Sequence, residues 1–215
     1  MRPTIKICGL TRAEDVRMCL RYGADILGFV TEYPRPVPWN LDARAAKGLI
    51  GEVCGRAKTC IVTGGVPDKI LDIARETTPD YVQLHYNETP EEAALVAQEL
   101  AGRGIKVIKA LAPSAPDLIE AAREFEAAGI YALLLDPRET KNAARGGEID
   151  LAAWQALRDA VCCPVILAGG LAPGNIVEAL RRTGARIVDL MSGVESSPGY
   201  KDEDKVAALF RVFAE

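Results

Sequence analysis

The feature that most constrains this chain is an eightfold alternation of a short apolar run with a longer amphipathic stretch. The apolar runs are rich in Val, Ile and Leu, as in LGFV, YALLLD and PVILAGG. Such runs are typical of parallel strands that are buried on both faces, because helices cover one face and the core the other. The alternation therefore predicts an α/β fold, a (β/α)₈ barrel.

The predicted strands cover residues 4–8, 25–30, 58–63, 81–85, 105–110, 130–136, 164–168 and 186–190. The predicted helices cover residues 12–21, 41–50, 67–76, 90–101, 115–128, 151–160, 173–182 and 203–213. Glycines precede several strands, where a positive φ ends the preceding helix. Prolines stand near the start of four predicted helices, where the first turn tolerates them: Pro67, Pro90, Pro116 and Pro173.

The competing architecture is a doubly wound open sheet, which carries a glycine-rich fingerprint after its first strand. Here that turn is Cys8-Gly9-Leu10-Thr11, without G-x-G-x-x-G. No linker or change in composition divides the chain, so we expect one barrel domain over residues 1–215.

Composition excludes several classes of protein. Apolar residues make up 49% and charged residues 26%, which excludes a disordered chain, and the net charge of −4 does not favour nucleic-acid binding. The sequence has no apolar run long enough for a membrane helix, and its first residues lack the apolar segment of a signal peptide, so we expect neither. Six cysteines without C-x-x-C spacing and a single histidine argue against disulfides and zinc. We therefore expect a cytoplasmic protein that binds no metal, nucleic acid or membrane. Its apolar surface residues indicate no clear interface, so a monomer and a homodimer both remain open.

Two glycine-rich turns predict a phosphate site. Barrels often bind phosphate in the loops after strands seven and eight, where Gly169, Gly170, Ser192 and Gly193 lie. Glycine leaves backbone N–H groups open to an anion, and a helix starting near Pro173 would add its positive end. The alternative is that these glycines serve only to make tight turns.

A thiol and a carboxyl group form a second candidate constellation. Cys8 and Asp136 end strands one and six, so their side chains can face a ligand from different sides of the ring. Such a pair can move protons at two positions of a substrate. Lys6 points to the same side of its strand as Cys8 and would favour a thiolate. The alternatives are a small buried hydrophobe for Cys8, as we expect for the other cysteines, and a loop cap for Asp136.

Several motifs resemble the phosphoribosylanthranilate isomerase family. They span nearly the whole chain in the family's order: KICGLT (6–11), GFV and PRPV (28–30 and 34–37), VQLH (82–85), LLLD (133–136), LAGGLAPGN (167–175), and SGVE followed by PGYKD (192–195 and 198–202).

The resemblance implies an Amadori rearrangement of N-(5′-phosphoribosyl)anthranilate in tryptophan biosynthesis, with no metal or cofactor. It implies that Asp136 is the general acid at the ring oxygen and Cys8 the general base at C2′. Arg35 matches the arginine that holds the anthranilate carboxylate, a role suited to its fork of donors. Gly170 and the Ser192-Gly193 turn match phosphate-binding positions. Gln83 and His85 are further candidates for substrate binding, although His85 can instead serve to orient its loop.

The chain departs from the family pattern in four loops. After strand six, the usual Gly-Gly-Thr-Gly is replaced by Arg145-Gly146-Gly147-Glu148, in which Gly147 remains a candidate substrate-binding residue. Elsewhere, Met191 replaces a serine, Thr63-Gly64-Gly65 replaces a phenylalanine-containing segment, and Tyr86 replaces the glycine after the histidine.

These departures leave two alternatives to the isomerase. One is a divergent paralogue on the same barrel that acts on another sugar phosphate. The other is a non-catalytic barrel that binds a phosphorylated metabolite.

Overall fold

A computed structural model describes residues 2–137 and 150–213. Eight parallel strands pair in chain order, and the pairing of the first with the last closes the ring. The strands are β1 (Thr4–Ile7), β2 (Ile26–Val30), β3 (Lys58–Thr63), β4 (Tyr81–Leu84), β5 (Lys106–Leu111), β6 (Ala132–Leu135), β7 (Val165–Ala168) and β8 (Ile187–Leu190). The helices are α1 (Ala13–Tyr22), α2 (Ala43–Val53), α3 (Pro67–Thr77), α4 (Pro90–Ala101), α5 (Leu118–Ala127), α6 (Leu151–Ala160), α7 (Ile176–Thr183) and α8 (Glu203–Arg211).

The predicted barrel is confirmed, and most of its boundaries agree with the prediction to within two residues. Pro67 and Pro90 open α3 and α4, and Thr89 completes a capping box on α4. The expectation was wrong for α5 and α7, which begin after Pro116 and Pro173.

The reason at α7 is the side chain of Asn175. It accepts a hydrogen bond from Ala172 N (2.8 Å) and donates one to Gly170 O (2.8 Å), which extends the turn before the helix. A short antiparallel pair after β8 was not predicted: β9 (Glu195–Ser197) and β10 (Tyr200–Lys201).

Side chains alternate across the barrel wall, as the pleat of a strand requires. On β1, Ile5 and Ile7 belong to the large apolar cluster between strands and helices. Cys8, the residue that follows them, belongs to a smaller cluster inside the ring, together with Ile26 and Val62. The strands are therefore apolar on both faces, which explains the continuous runs in the sequence.

An ion pair occupies the inside of the ring. Lys6 Nζ lies 2.8 Å from Asp189 Oδ2, and both side chains are almost fully buried. The two residues are direct partners in the β1–β8 pairing that closes the barrel. Burial lowers the pKa of Lys6, but attraction to Asp189, and to the Cys8 and Cys60 thiols, raises it above its ordinary value of 10.5 overall.

Within the part of the chain that the structure describes, no helix is both long and apolar enough to cross a membrane.

We predict that Lys6→Met destabilises the fold by about 3–5 kcal/mol, because it leaves a buried carboxylate uncompensated. Urea unfolding measures the change, and Lys6→Met/Asp189→Leu should recover much of it, since both charges are then absent. Because the pKa of Lys6 is raised, its stabilisation is complete below pH 10.5 and declines only at higher pH. Lys58→Met is the control, since Lys58 forms an exposed ion pair with Asp80 and should matter far less. Equal losses in Lys6→Met and Lys58→Met would contradict the prediction.

Candidate functional site

A cavity of about 930 Å³ opens at the carboxyl ends of the strands. Its wall is formed by the loops after β2, β4, β7 and β8, together with single residues near the carboxyl ends of β2, β3, β7 and β8. This is the end of the barrel at which enzymes of this fold place their sites. Five of the residues predicted from sequence line it: Arg35, His85, Gly169, Gly170 and Ser192.

The other predicted residues lie next to this wall or outside the described residues. Gln83 and Asp136 are buried below the wall and reach it through His85. Cys8 is 1% exposed and shares an apolar cluster with the wall residues Val30, Val62 and Ala168. Gly193 packs against the wall residue Leu171. Gly147 lies outside the described residues.

A chain of three polar side chains ends at Asp136. Gln83 Nε2 lies 3.0 Å from His85 Nδ1, and His85 Nε2 lies 3.2 Å from Asp136 Oδ2. With the amide nitrogen assigned to this position, Nδ1 accepts, so Nε2 carries the hydrogen and donates to the carboxylate. Of the two roles left open for His85, the contact with Asp136 and its place in the wall favour a role in the site.

Cys8 lies close to Gly28 on the neighbouring strand β2. A side chain on Gly28 would come within 2.8 Å of Cys8 Sγ and 3.1 Å of Lys6 Nζ, so glycine is needed there for space. Lys6 and Cys8 therefore point to the same side of β1, as expected. Asp189 is nevertheless the main partner of Lys6, so the positive charge of Lys6 interacts with both the Asp189 carboxylate and the Cys8 thiol.

Asp189 is a residue that the sequence reasoning missed. It lines the cavity, and its Oδ1 is buried without a hydrogen-bond partner among the described residues. A buried carboxylate oxygen without a partner is costly, so this atom is suited to accept a hydrogen bond from a bound ligand. The only signal in the sequence was an acidic residue within the apolar run RIVDL.

The predicted phosphate loops contact each other. Gly169 and Gly170 have φ values of 89° and 60°, in the left-handed region that favours glycine. Gly193 has no positive φ, but a Cβ there would overlap the carbonyl oxygen of Leu171. Its small size thus lets the turn after β8 approach the loop after β7. The glycines have a structural function in making these turns, and the same geometry leaves Gly169, Gly170 and Ser192 open to the cavity.

Glu195 is a second buried carboxylate that lines the cavity, and it was also not predicted from the sequence. Its Oε1 accepts hydrogen bonds from Lys201 Nζ (2.7 Å) and Trp39 Nε1 (3.1 Å). Because Trp39 belongs to the loop after β2, this carboxylate joins that loop to the β9–β10 hairpin. The SGVE and PGYKD motifs therefore shape the cavity mouth, beyond any contact with a ligand.

The remaining cysteines differ in exposure. Cys19 and Cys60 are buried, as expected, and burial raises the pKa of each to about 12, so both stay protonated at neutral pH. The expectation of burial was wrong for Cys54 and Cys162, which are exposed beyond the ends of helices, and only partly met by Cys163. Over residues 2–137 and 150–213, no three His, Cys, Asp or Glu side chains are grouped as metal ligands.

Comparison of the sequence with known proteins identifies a family. The sequence profile of the family described as N-(5′-phosphoribosyl)anthranilate (PRA) isomerase matches residues 5–212. A protein named N-(5′-phosphoribosyl)anthranilate isomerase from Rhodopseudomonas palustris is 36% identical over 214 residues, which cover 98% of each chain.

Solved structures agree with the sequence comparison. A phosphoribosyl anthranilate isomerase in complex with reduced 1-(o-carboxyphenylamino)-1-deoxyribulose 5-phosphate superposes with a TM-score of 0.80 at 30% identity, over 98% of this chain and 97% of that one. Monomers generated from the dimeric phosphoribosylanthranilate isomerase of Thermotoga maritima give 0.81 at 29% identity, again over 98% and 97%.

We predict that Gly193→Ala destabilises the protein by about 1–3 kcal/mol, because the added methyl group forces the two loops apart. Thermal or urea unfolding measures the loss. Gly48→Ala is the matched control: Gly48 lies within α2 with open space around it, so alanine should be neutral or stabilising. If Gly193→Ala were as stable as the wild type, the packing of the two loops would not depend on glycine.

Proposed function

This chain belongs to the N-(5′-phosphoribosyl)anthranilate isomerase family, and we infer from that membership that it catalyses the Amadori rearrangement for which the family is named. The product is 1-(2-carboxyphenylamino)-1-deoxyribulose 5-phosphate, and the reaction is a step in tryptophan biosynthesis. The observation that carries this conclusion is the family match over residues 5–212, and the comparisons favour it over both alternatives.

The reaction requires an acid at the ring oxygen and a base at C2′, two atoms that are both bonded to C1′. Protonation of the ring oxygen breaks its bond to C1′, while the nitrogen lone pair forms a C1′=N iminium. A base then removes the C2′ proton, the electron pair of the C–H bond forms the C1′=C2′ bond of an enolamine, and the C1′=N π pair returns to nitrogen. The enolamine becomes the ketone when the C2′ hydroxyl loses its proton and C1′ gains one.

We propose that Asp136 is the general acid. The residue is only 3% exposed, which keeps bulk water from competing for the proton of its carboxyl group. The hydrogen bond from His85 Nε2 orients one carboxyl oxygen, and Gln83 in turn orients the imidazole ring. A held carboxyl group fits the geometric demand of proton transfer, which needs the donor within hydrogen-bond distance of the ring oxygen.

Cys8 is the proposed general base at C2′. The adjacent iminium acidifies the C–H bond, so a modest base suffices. Lys6 lies on the same side of β1, and its favourable interaction with Cys8 is one of the causes that raise the pKa of Lys6. Asp189 pairs with the ammonium group of Lys6 through Oδ2. Its Oδ1, which has no partner among the described residues, is placed to accept a hydrogen bond from a substrate hydroxyl or N–H group.

The two ends of the substrate have complementary partners. The Arg35 guanidinium at the mouth offers paired donors to the anthranilate carboxylate. Gly169, Gly170, Ser192 and Gly193 are proposed to hold the phosphate. Gly147 remains a proposed contact outside the described residues.

We further propose a cytoplasmic protein with one barrel domain, acting as a monomer or homodimer without a cofactor. Its six cysteines are all unpaired, which suits a reducing compartment. The solved relative from T. maritima is described both as a dimer and as generated monomers, which keeps both states open.

Cys8→Ser and Asp136→Asn should each lower kcat at least about a hundredfold, in line with contributions of general acids and bases. Loss of phosphoribosylanthranilate fluorescence measures the rate. The control is Cys162→Ser, which changes an exposed thiol beyond the end of α6. If both site variants kept nearly the wild-type rate, the assigned roles would be wrong; an inactive wild type would refute the proposed function.

Arg35→Ala should raise KM by roughly ten- to a hundredfold, the range expected for a charge-assisted hydrogen-bonded pair. Because the carboxylate does not react, kcat should change little. Steady-state kinetics separate the two constants. A fall in kcat at unchanged KM would place Arg35 in the chemical step and contradict its role in binding.

A further inference from the structure

Arg35 lies at the cavity mouth with its hydrogen-bonding capacity unused. Among the described residues, its guanidinium makes no salt bridge and no hydrogen bond, and its one ring contact is with Tyr86. Arg35 Cζ lies 5.2 Å from the centroid of that ring. A ring that binds a guanidinium by its face leaves the in-plane N–H donors available for a carboxylate.

The Tyr86 ring is itself held by its neighbours. Tyr33 packs edge-on against it, with centroids 6.2 Å apart and an interplanar angle of 86°. The backbone of Tyr86 donates to Glu88 Oε2 (3.1 Å) and accepts from Lys109 Nζ (2.7 Å). Glu88 and Lys109 form a buried ion pair of 2.6 Å. The backbone that carries the ring is thus tied to β5 by charges that solvent does not reach.

Gly64 provides the space for this arrangement. Its φ lies outside the left-handed region, so any residue could adopt its backbone conformation. A Cβ at Gly64, however, would overlap Tyr86 Cβ and come within 2.6 Å of Glu88 Oε1. Gly64 and Tyr86 are both departures from the family pattern, and the structure shows that they are in contact. They form a matched pair, in which one loop gives up a side chain and the next carries a large ring.

We propose that Tyr86 is a positioning residue for Arg35: its ring face holds the guanidinium at the mouth, so that the paired donors meet the substrate's aromatic carboxylate. The inference rests on the proposed function, which supplies that carboxylate. Tyr86 is not part of the cavity wall, so its effect on the substrate passes through Arg35. An unheld arginine side chain would lose more rotamer freedom on binding, which would weaken the complex.

The first test compares Tyr86→Leu with Tyr86→Phe. Leucine removes the aromatic face and should raise KM about two- to fivefold, the worth of an exposed cation–π contact, with kcat unchanged. Phenylalanine keeps the face and should restore the wild-type KM. Calorimetry with reduced 1-(o-carboxyphenylamino)-1-deoxyribulose 5-phosphate should show the same change in Kd. If Tyr86→Leu does not fold, Tyr86→Met takes its place, with the same expectation.

The second test is a double-mutant cycle with Arg35→Ala. If Tyr86 acts through Arg35, Tyr86→Leu should have no further effect on Kd once the guanidinium is gone. The analogue that lacks the carboxyl group should bind wild type and Tyr86→Leu equally. Effects that multiply in the double variant, or an equal loss with the decarboxylated analogue, would overturn the proposal.

The experiments distinguish an error in the proposed function from an error in the role of Tyr86. A wild-type protein that does not convert phosphoribosylanthranilate would refute the proposed function. An active wild type whose Tyr86→Leu variant keeps the same KM and Kd would refute the role of Tyr86 alone. A lower kcat at unchanged KM would also refute it, because a binding contact with a non-reacting group should leave the chemical step unaffected.

Discussion

Closing eight parallel strands into a ring forces every second strand residue to point into a space with little water. Most such positions here are apolar, so a charge inside the ring must be compensated inside the ring. Lys6 and Asp189 meet this condition on the two strands whose pairing closes the barrel. Lys6 also lies beside Cys8, and Asp189 lines the cavity, so one interaction links closure of the fold to the proposed base.

The requirement that a buried charge be compensated also applies at the cavity mouth, where it indicates which groups need a ligand. Glu195 is neutralised by Lys201, and Glu88 by Lys109, so these buried carboxylates support loops. Among the described residues, the Arg35 guanidinium and the buried Asp189 Oδ1 are charged groups at the cavity that have no hydrogen-bond partner. A substrate with a carboxylate at one end and hydroxyl or N–H donors near its centre satisfies both. The unfilled hydrogen-bonding capacity therefore matches the substrate of the family.

Local patterns in the sequence were sufficient for the barrel and for the residues at the strand ends. Continuous apolar runs predict buried parallel strands, and strand ends predict where Cys8, His85 and Asp136 lie. Asp189 could not be found in this way, because its partner Lys6 lies 183 residues away in the chain and only closure brings them together. The starts of α5 and α7 were misjudged for a different reason: proline is compatible with a first helical turn and equally with the turn before it.

Glycine shows most clearly what a sequence leaves undetermined. Gly23, at the end of α1, is required by conformation alone, since its φ of 92° is costly for any other residue and a Cβ there would meet no atom within 4 Å. Gly64 and Gly193 are required by space, since each faces a neighbouring loop that a single Cβ would strike. In the sequence the two kinds look identical, yet they respond differently to change. A conformational glycine can be replaced only at the cost of strain, whereas a spatial glycine can change when its neighbour changes. The pairing of Gly64 with Tyr86 is of this second kind, and it allows one loop to supply the ring that holds Arg35.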